Sequence, residues 1–253
     1  MDATSDDGRL TVVNGNWGRV SLTSILAVLE SAFRTLTSAF CARPDAPIRV
    51  CRWRQDHALV VYDQRPYQIF LSTGDRYWSQ YVFQFSHELC HVLTGFERYR
   101  EHRHKWFEES LCELASLYVL HGLADDWQGQ PPAAVYRAVE FAPNHRTYAL
   151  NREQQHLASV GGDLPTWFAA SIGELEANRY DRVRTGIVAA ALRPRFIQEP
   201  SLWEACRLVN RWDPNGQATF GGYLESWCAD LRRNGLEIRT PEIVRGLLLP
   251  QNG

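Results

Sequence analysis

Between Ser21 and Phe40 the apolar residues fall at positions 22, 25, 26, 29, 33, 36 and 40, the spacing of one helix face, and Ser21 or Thr23 can cap its start. Ahead of it, Arg9 to Val13 (RLTVV) reads as a short strand closed by the turn residues Asn14, Gly15 and Asn16. After Arg43-Pro44-Asp45 three runs rich in β-branched or aromatic residues read as strands: Ile48 to Trp53, Ala58 to Tyr62 and Tyr67 to Ser72. Two helix-period stretches follow, Tyr81 to Gly95 and Trp106 to Leu120. Beyond Asp125-Asp126-Trp127 the run WQGQPP marks a break. The remainder predicts helices over 133–140, 146–159, 165–175, 179–192, 201–212, 218–233 and 241–249. Asp163-Leu164-Pro165, Glu199-Pro200-Ser201 and Thr240-Pro241 are start signals, and Gly235 is a stop. No internal repeat and no low-complexity tract interrupts the pattern.

These elements predict an α+β fold, a small twisted sheet packed on helices in residues 1–127, with a mainly α-helical part over 128–253. At 253 residues, 45% hydrophobic and 22% charged, the chain is long enough to bury a substantial core. A formal net charge of −2 with both signs intermixed gives no case for a nucleic-acid partner. No apolar run reaches the length of a membrane span, and the start MDATSDDGRL is polar and acidic, unlike a secretory signal. A cytoplasmic protein with no membrane partner is the expectation, with delivery by a specialised secretion route left open.

The cysteines, Cys41, Cys51, Cys90, Cys112, Cys206 and Cys228, include no CxxC pair and read as reduced. Cys90 and Cys112 read as small buried hydrophobes. Of the 27 lysines and arginines only Lys105 is a lysine. A GC-rich genome accounts for that bias. Selection against lysine modification, as in a protein delivered into a eukaryotic cell, is the sharper alternative.

The chemistry concentrates in YVFQFSHELCHVLTG, Tyr81 to Gly95. On a helix, His87 and His91 lie about 40° apart and one turn displaced, so both imidazoles can reach one ion. Glu88 points about 100° away from His87, where a general base for a metal-activated water belongs. Zinc lowers the pKa of a bound water to about 7 and polarises a carbonyl, and a nearby carboxylate can move the proton to the leaving amine. In WFEESLCELASLYVL, Trp106 to Leu120, Glu109 follows His91 after seventeen intervening residues, enough for an antiparallel helix to return a carboxylate to the ion. Glu113, one turn further, can accept a hydrogen bond from the distal nitrogen of a ligand histidine.

His87-Glu88-x-x-His91 followed by Trp106-Phe107-Glu108-Glu109-Ser110, with an acid four places after the ligand, resembles the gluzincin metallopeptidases of the thermolysin and alanyl-aminopeptidase type. The resemblance spans roughly residues 45 to 123. It implies a zincin-like sheet and helices, Zn²⁺ held by His87, His91 and Glu109, Glu88 as general base, and Glu113 as the orienting acid. Ser110 stands where that group commonly has glycine, and Glu108 is the competing ligand. It also implies a peptide or protein substrate bound in a cleft whose other wall is the helical half, with Tyr67 to Ser72 as an exposed edge to which a peptide adds. There is no Gly-x-Met-Glu-Asn stretch, and Val92-Leu93-Thr94-Gly95-Phe96-Glu97 lacks the third histidine of the metzincins. A non-catalytic, zinc-stabilised sensing or interaction domain is the alternative.

Between the two blocks, ERYREHRHK (Glu97 to Lys105) reads as a solvated loop or frayed helix end, with His102 and His104 outside the ligand set and Arg98, Arg100, Arg103 and Lys105 available to favour acidic substrates. Tyr99, Tyr148, His156 and Tyr180 are candidates for the oxyanion donor. The downstream aromatics Trp167, Tyr180, Trp203, Trp212, Tyr223 and Trp227 read as core or as the lining of a specificity pocket.

Overall fold

The computed structural model describes residues 1–55, 57–61, 63–96, 102–211 and 219–250. In chain order they form β1 (Ala3–Thr4), β2 (Leu10–Val12), α1 (Leu22–Ala39), β3 (Ile48–Arg52), β4 (Leu59–Val61), β5 (Tyr67–Leu71), α2 (Trp78–Thr94) and α3 (Lys105–Gly129). A 3₁₀ turn (Ala138–Phe141) then leads to α4 (Ala142–Leu157), α5 (Leu164–Ala177), α6 (Arg182–Gln198), α7 (Leu202–Cys206), α8 (Phe220–Arg233) and α9 (Arg239–Leu248). The fold is α+β, with every strand among the described residues in the first third of the chain.

The chain resolves into two compact units. The first comprises Met1–Ser38, Arg43–Val92 and Ala115–Leu150, and the second Ala39–Ala42, Leu93–Leu114 and Asn151–Gly253. Both α2 and α3 run through that division.

The first unit holds the five-stranded sheet, ordered β1-β2-β3-β5-β4. Strands β2, β3 and β5 are parallel, and the outer strands β1 and β4 are antiparallel to their neighbours. Leu10 is in register with Ile48 and Ile48 with Tyr67, while Val12, Val50, Ile69 and Val60 form the next row. All seven are buried, so the alternation in each strand turns one apolar face inward. Helix α1 is the crossover between the parallel neighbours β2 and β3, a connection that lays it over the sheet. Its first turn is capped by Ser21, whose Oγ accepts from the Ser24 amide at 3.1 Å.

Strand β5 is interior, paired with β3 on one side and β4 on the other. The expected exposed edge at Tyr67–Ser72 is therefore overturned, because β4 folds back antiparallel and takes the outer position itself. Both ends of α2 have local causes. Trp78 and Tyr81 pack in a tilted arrangement with ring centroids 5.5 Å apart, and Trp17 lies against Tyr81 at 5.9 Å. Gly95, at φ +68°, then supplies the left-handed residue that stops the helix.

The second unit is helical. Its core includes Phe168, Phe196, Trp203, Phe220, Tyr223 and Trp227. The Tyr223 hydroxyl donates to the Val209 carbonyl at 2.9 Å, and the Trp227 indole to that of Ala205 at 3.1 Å. These aromatics are core rather than pocket lining, while Trp167 is half-buried, Tyr180 is exposed and Trp212 lies outside the described residues. Helix α6 runs through Pro194 to Gln198, past the end at Leu192 that its sequence predicts. Among the described residues no helix is long and apolar enough to cross a membrane.

Candidate functional site

Helix α2 places His87 and His91 one turn apart, with ring centroids separated by 5.1 Å and planes inclined at 74°. His91 and Glu88 are buried, at 5% and 6% exposure, and His87 is half-buried. Buried apolar neighbours at 78, 81, 82, 85 and 89 fix the rotation of the helix, because that stripe must face inward.

Helix α3 is buried on nearly every side. From Lys105 to Leu117 the one residue that is not buried is Glu109. Within the first unit Ser116 Oγ donates to the Phe83 carbonyl at 2.7 Å, which ties α3 to α2. On an α-helix the positions 109, 112, 113 and 116 share a face, so Glu109, Cys112 and Glu113 line one side of α3. Ser110 is buried and donates back to the Trp106 carbonyl of its own helix at 3.0 Å.

Glu108, the competing ligand, is occupied. Thr94 Oγ1 donates to Glu108 Oε1 at 2.6 Å and Lys105 Nζ to Oε2 at 2.9 Å. Glu113 is held in the second unit by Arg152, whose Nε and Nη2 donate to Oε1 at 2.9 and 2.8 Å. His156 Nε2 lies 3.5 Å from the same oxygen.

Cys112, which like Cys90 reads from the sequence as a small buried hydrophobe, is fully buried. The possible ligand atoms of His87, His91 and Cys112 all lie within 4.8 Å of one another. A thiol inside WFEESLCELASLYVL has the signature of any small buried residue, so the one available signal was its spacing of three from Glu109.

The segment before α3 differs from its solvated reading. His104 is fully buried and Lys105 is 1% exposed. His104 packs on Phe220 and Tyr223, and His102 stacks on Tyr223 at 6.0 Å. Burial lowers the pKa of both histidines to about 4. Arg103 is exposed and pairs with Glu176 at 3.0 Å, while Arg98, Arg100 and Tyr99 lie outside the described residues. Of the other oxyanion candidates, Tyr148 packs beside Phe83 at 5.7 Å, and Tyr180 is 61% exposed next to Arg179. None of the six cysteines is in a disulfide.

No protein-family model, no curated protein and no solved structure matches the chain.

Proposed function

We propose that the chain is a zinc-dependent peptidase in which His87, His91 and Glu109 hold the ion. What supports the reading is the pair of imidazoles one turn apart on α2 with Glu88 between them. The donor chemistry fits zinc, which takes imidazole nitrogen together with carboxylate oxygen or thiolate sulfur. Glu109 suits an open site because it is the one residue from Lys105 to Leu117 of α3 that is not buried.

When bound, zinc supplies Lewis acidity and lowers the pKa of water to about 7. With the ion in place, Glu88 would take a proton from the attacking water and return it to the departing amine. Glu113, its charge offset by Arg152, orients a ligand imidazole.

Cys112 favours a second reading. A thiolate in place of Glu109 is common in closed, structural zinc sites, and Cys112 is fully buried. The zinc would then staple a sensing or interaction domain.

Glu88→Gln separates the two. In the peptidase this variant keeps its metal and loses hydrolysis of a peptide library by a factor of about 10² to 10⁴, whereas His91→Ala loses both. A Glu88→Gln protein that cleaves as fast as wild type would sink the mechanism.

A further inference from the structure

The one lysine of the chain is inside it. Lys105 Nζ donates to Glu108 Oε2 at 2.9 Å and to Asn210 Oδ1 at 3.0 Å, and it lies 3.8 Å from the centroid of the Phe96 ring. Thr94 closes the circuit. Its hydroxyl donates to the other Glu108 oxygen at 2.6 Å, and its carbonyl accepts from Asn210 Nδ2 at 3.3 Å. Lys105, Glu108, Asn210 and Thr94 are each 1% exposed.

This enclosure suits an ammonium. Nζ is compact and carries three donors, which find a carboxylate oxygen, an amide oxygen and an aromatic face. A guanidinium is planar and brings five donors in a fixed fork, so the same enclosure would leave buried N–H groups without acceptors. Elsewhere the chain uses arginine as its cation, including at exposed positions such as Arg34 and Arg182.

We infer that the folded chain is closed to lysine-directed covalent modification: its surface carries no ε-amine, and its single ε-amine is held in the Thr94–Lys105–Glu108–Asn210 circuit, where arginine does not fit. Acyl transfer to lysine joins the amine nitrogen to a thioester carbonyl carbon, expels the thiolate and releases a proton. That amine must reach the thioester, and Lys105 has no path to it. The consequence holds whether codon usage or selection removed the other lysines.

The test combines amine acetylation, mapped at Lys105 by mass spectrometry, with transfer from a reconstituted ubiquitin-type conjugating system. Acetylation of Lys105 by an N-hydroxysuccinimide ester is expected to be at least about a hundredfold slower in the native chain than in denaturant. Arg34→Lys and Arg182→Lys should keep the wild-type melting temperature and become acceptors in the conjugating system, whereas the folded wild type takes no modifier on lysine. Lys105→Arg should melt lower. Native acetylation or conjugation at Lys105 overturns the closure. A Lys105→Arg protein that melts like wild type overturns the reason for its retention, and surface Arg→Lys variants that unfold would show that those arginines stand for stability.

Discussion

Arg152 directs two hydrogen bonds, of 2.9 and 2.8 Å, onto a single oxygen of Glu113. Glu113 is 6% exposed, so its negative charge is costly to hold without a nearby cation. Arg152→Met removes that cation and should lower stability by about 2–3 kcal/mol, less than for a fully buried pair because the Arg152 side chain is 26% exposed. Adding Glu113→Gln should restore most of the loss. Urea denaturation of the two single variants and the double variant reads the coupling, and additive losses would count against the pair.

Two helical glycines of the second unit make opposite predictions. A Cβ at Gly186 would lie 2.3 Å from the His156 ring, whereas one at Gly173 would meet nothing within 4 Å. Gly186→Ala should therefore push His156 away from Glu113 and cost about 1–3 kcal/mol. Gly173→Ala, in the interior of α5, should add about 0.5–1 kcal/mol. Thermal melts of both decide it, and a shift of the same sign in the two variants would refute the packing assignment.

The regular part of this fold is legible from periodicity, and the exceptions share a cause. The apolar stripe of α1 and the strands at Ile48 and Tyr67 are local patterns, and the structure has them close to their expected bounds. Strand order is not local, and three strands in sequence do not reveal that β4 folds back to the outside of β5. The sequence predicts an end at Leu192, yet α6 continues through Pro194, with Leu192 and Phe196 buried on either side of that proline. The charge in ERYREHRHK reads as solvated because the partners that enclose its last residues, Asn210, Phe220 and Tyr223, stand about a hundred positions further on. The imidazole pair of α2 is legible because one helical turn fixes it. A third ligand from another helix depends on packing, and Cys112 and Glu109 both satisfy the spacing.

His145 carries the pH dependence. It is fully buried, its Nδ1 lies 3.0 Å from Ser79 Oγ, and its ring meets Trp127 edge-on at 4.6 Å. Burial lowers its pKa from 6.5 to about 4. Between those values the unfolded chain binds a proton that the folded chain does not. Stability is therefore full above about pH 6.5 and falls as the pH drops towards 4, by up to about 1.4 kcal/mol per pH unit from this residue. Burial shifts His102 and His104 in the same direction. His145→Gln keeps a partner for Ser79 and removes one titration, so its stability should decline less steeply from pH 6.5 to 5 than that of wild type. Equal slopes in urea denaturation across that range would exclude His145 as a source.

In the proposed zinc centre, the third ligand decides between an open site and a closed one. Glu109 is half-exposed and Cys112 fully buried, and each lies on the face of α3 that carries Ser116. Carboxylate ligation leaves an accessible site of the kind a hydrolase needs, whereas thiolate ligation fits a structural staple. With one zinc per chain, metal analysis of His91→Ala, Glu109→Gln and Cys112→Ser distinguishes them. The peptidase reading expects His91→Ala and Glu109→Gln to lose metal and Cys112→Ser to keep it. Cobalt substitution adds an independent readout, because a thiolate ligand produces sulfur-to-metal charge-transfer absorption in the near ultraviolet and a carboxylate does not. A cobalt protein with that absorption, lost on Cys112→Ser and kept on Glu109→Gln, would assign the ion to Cys112 and favour the structural reading.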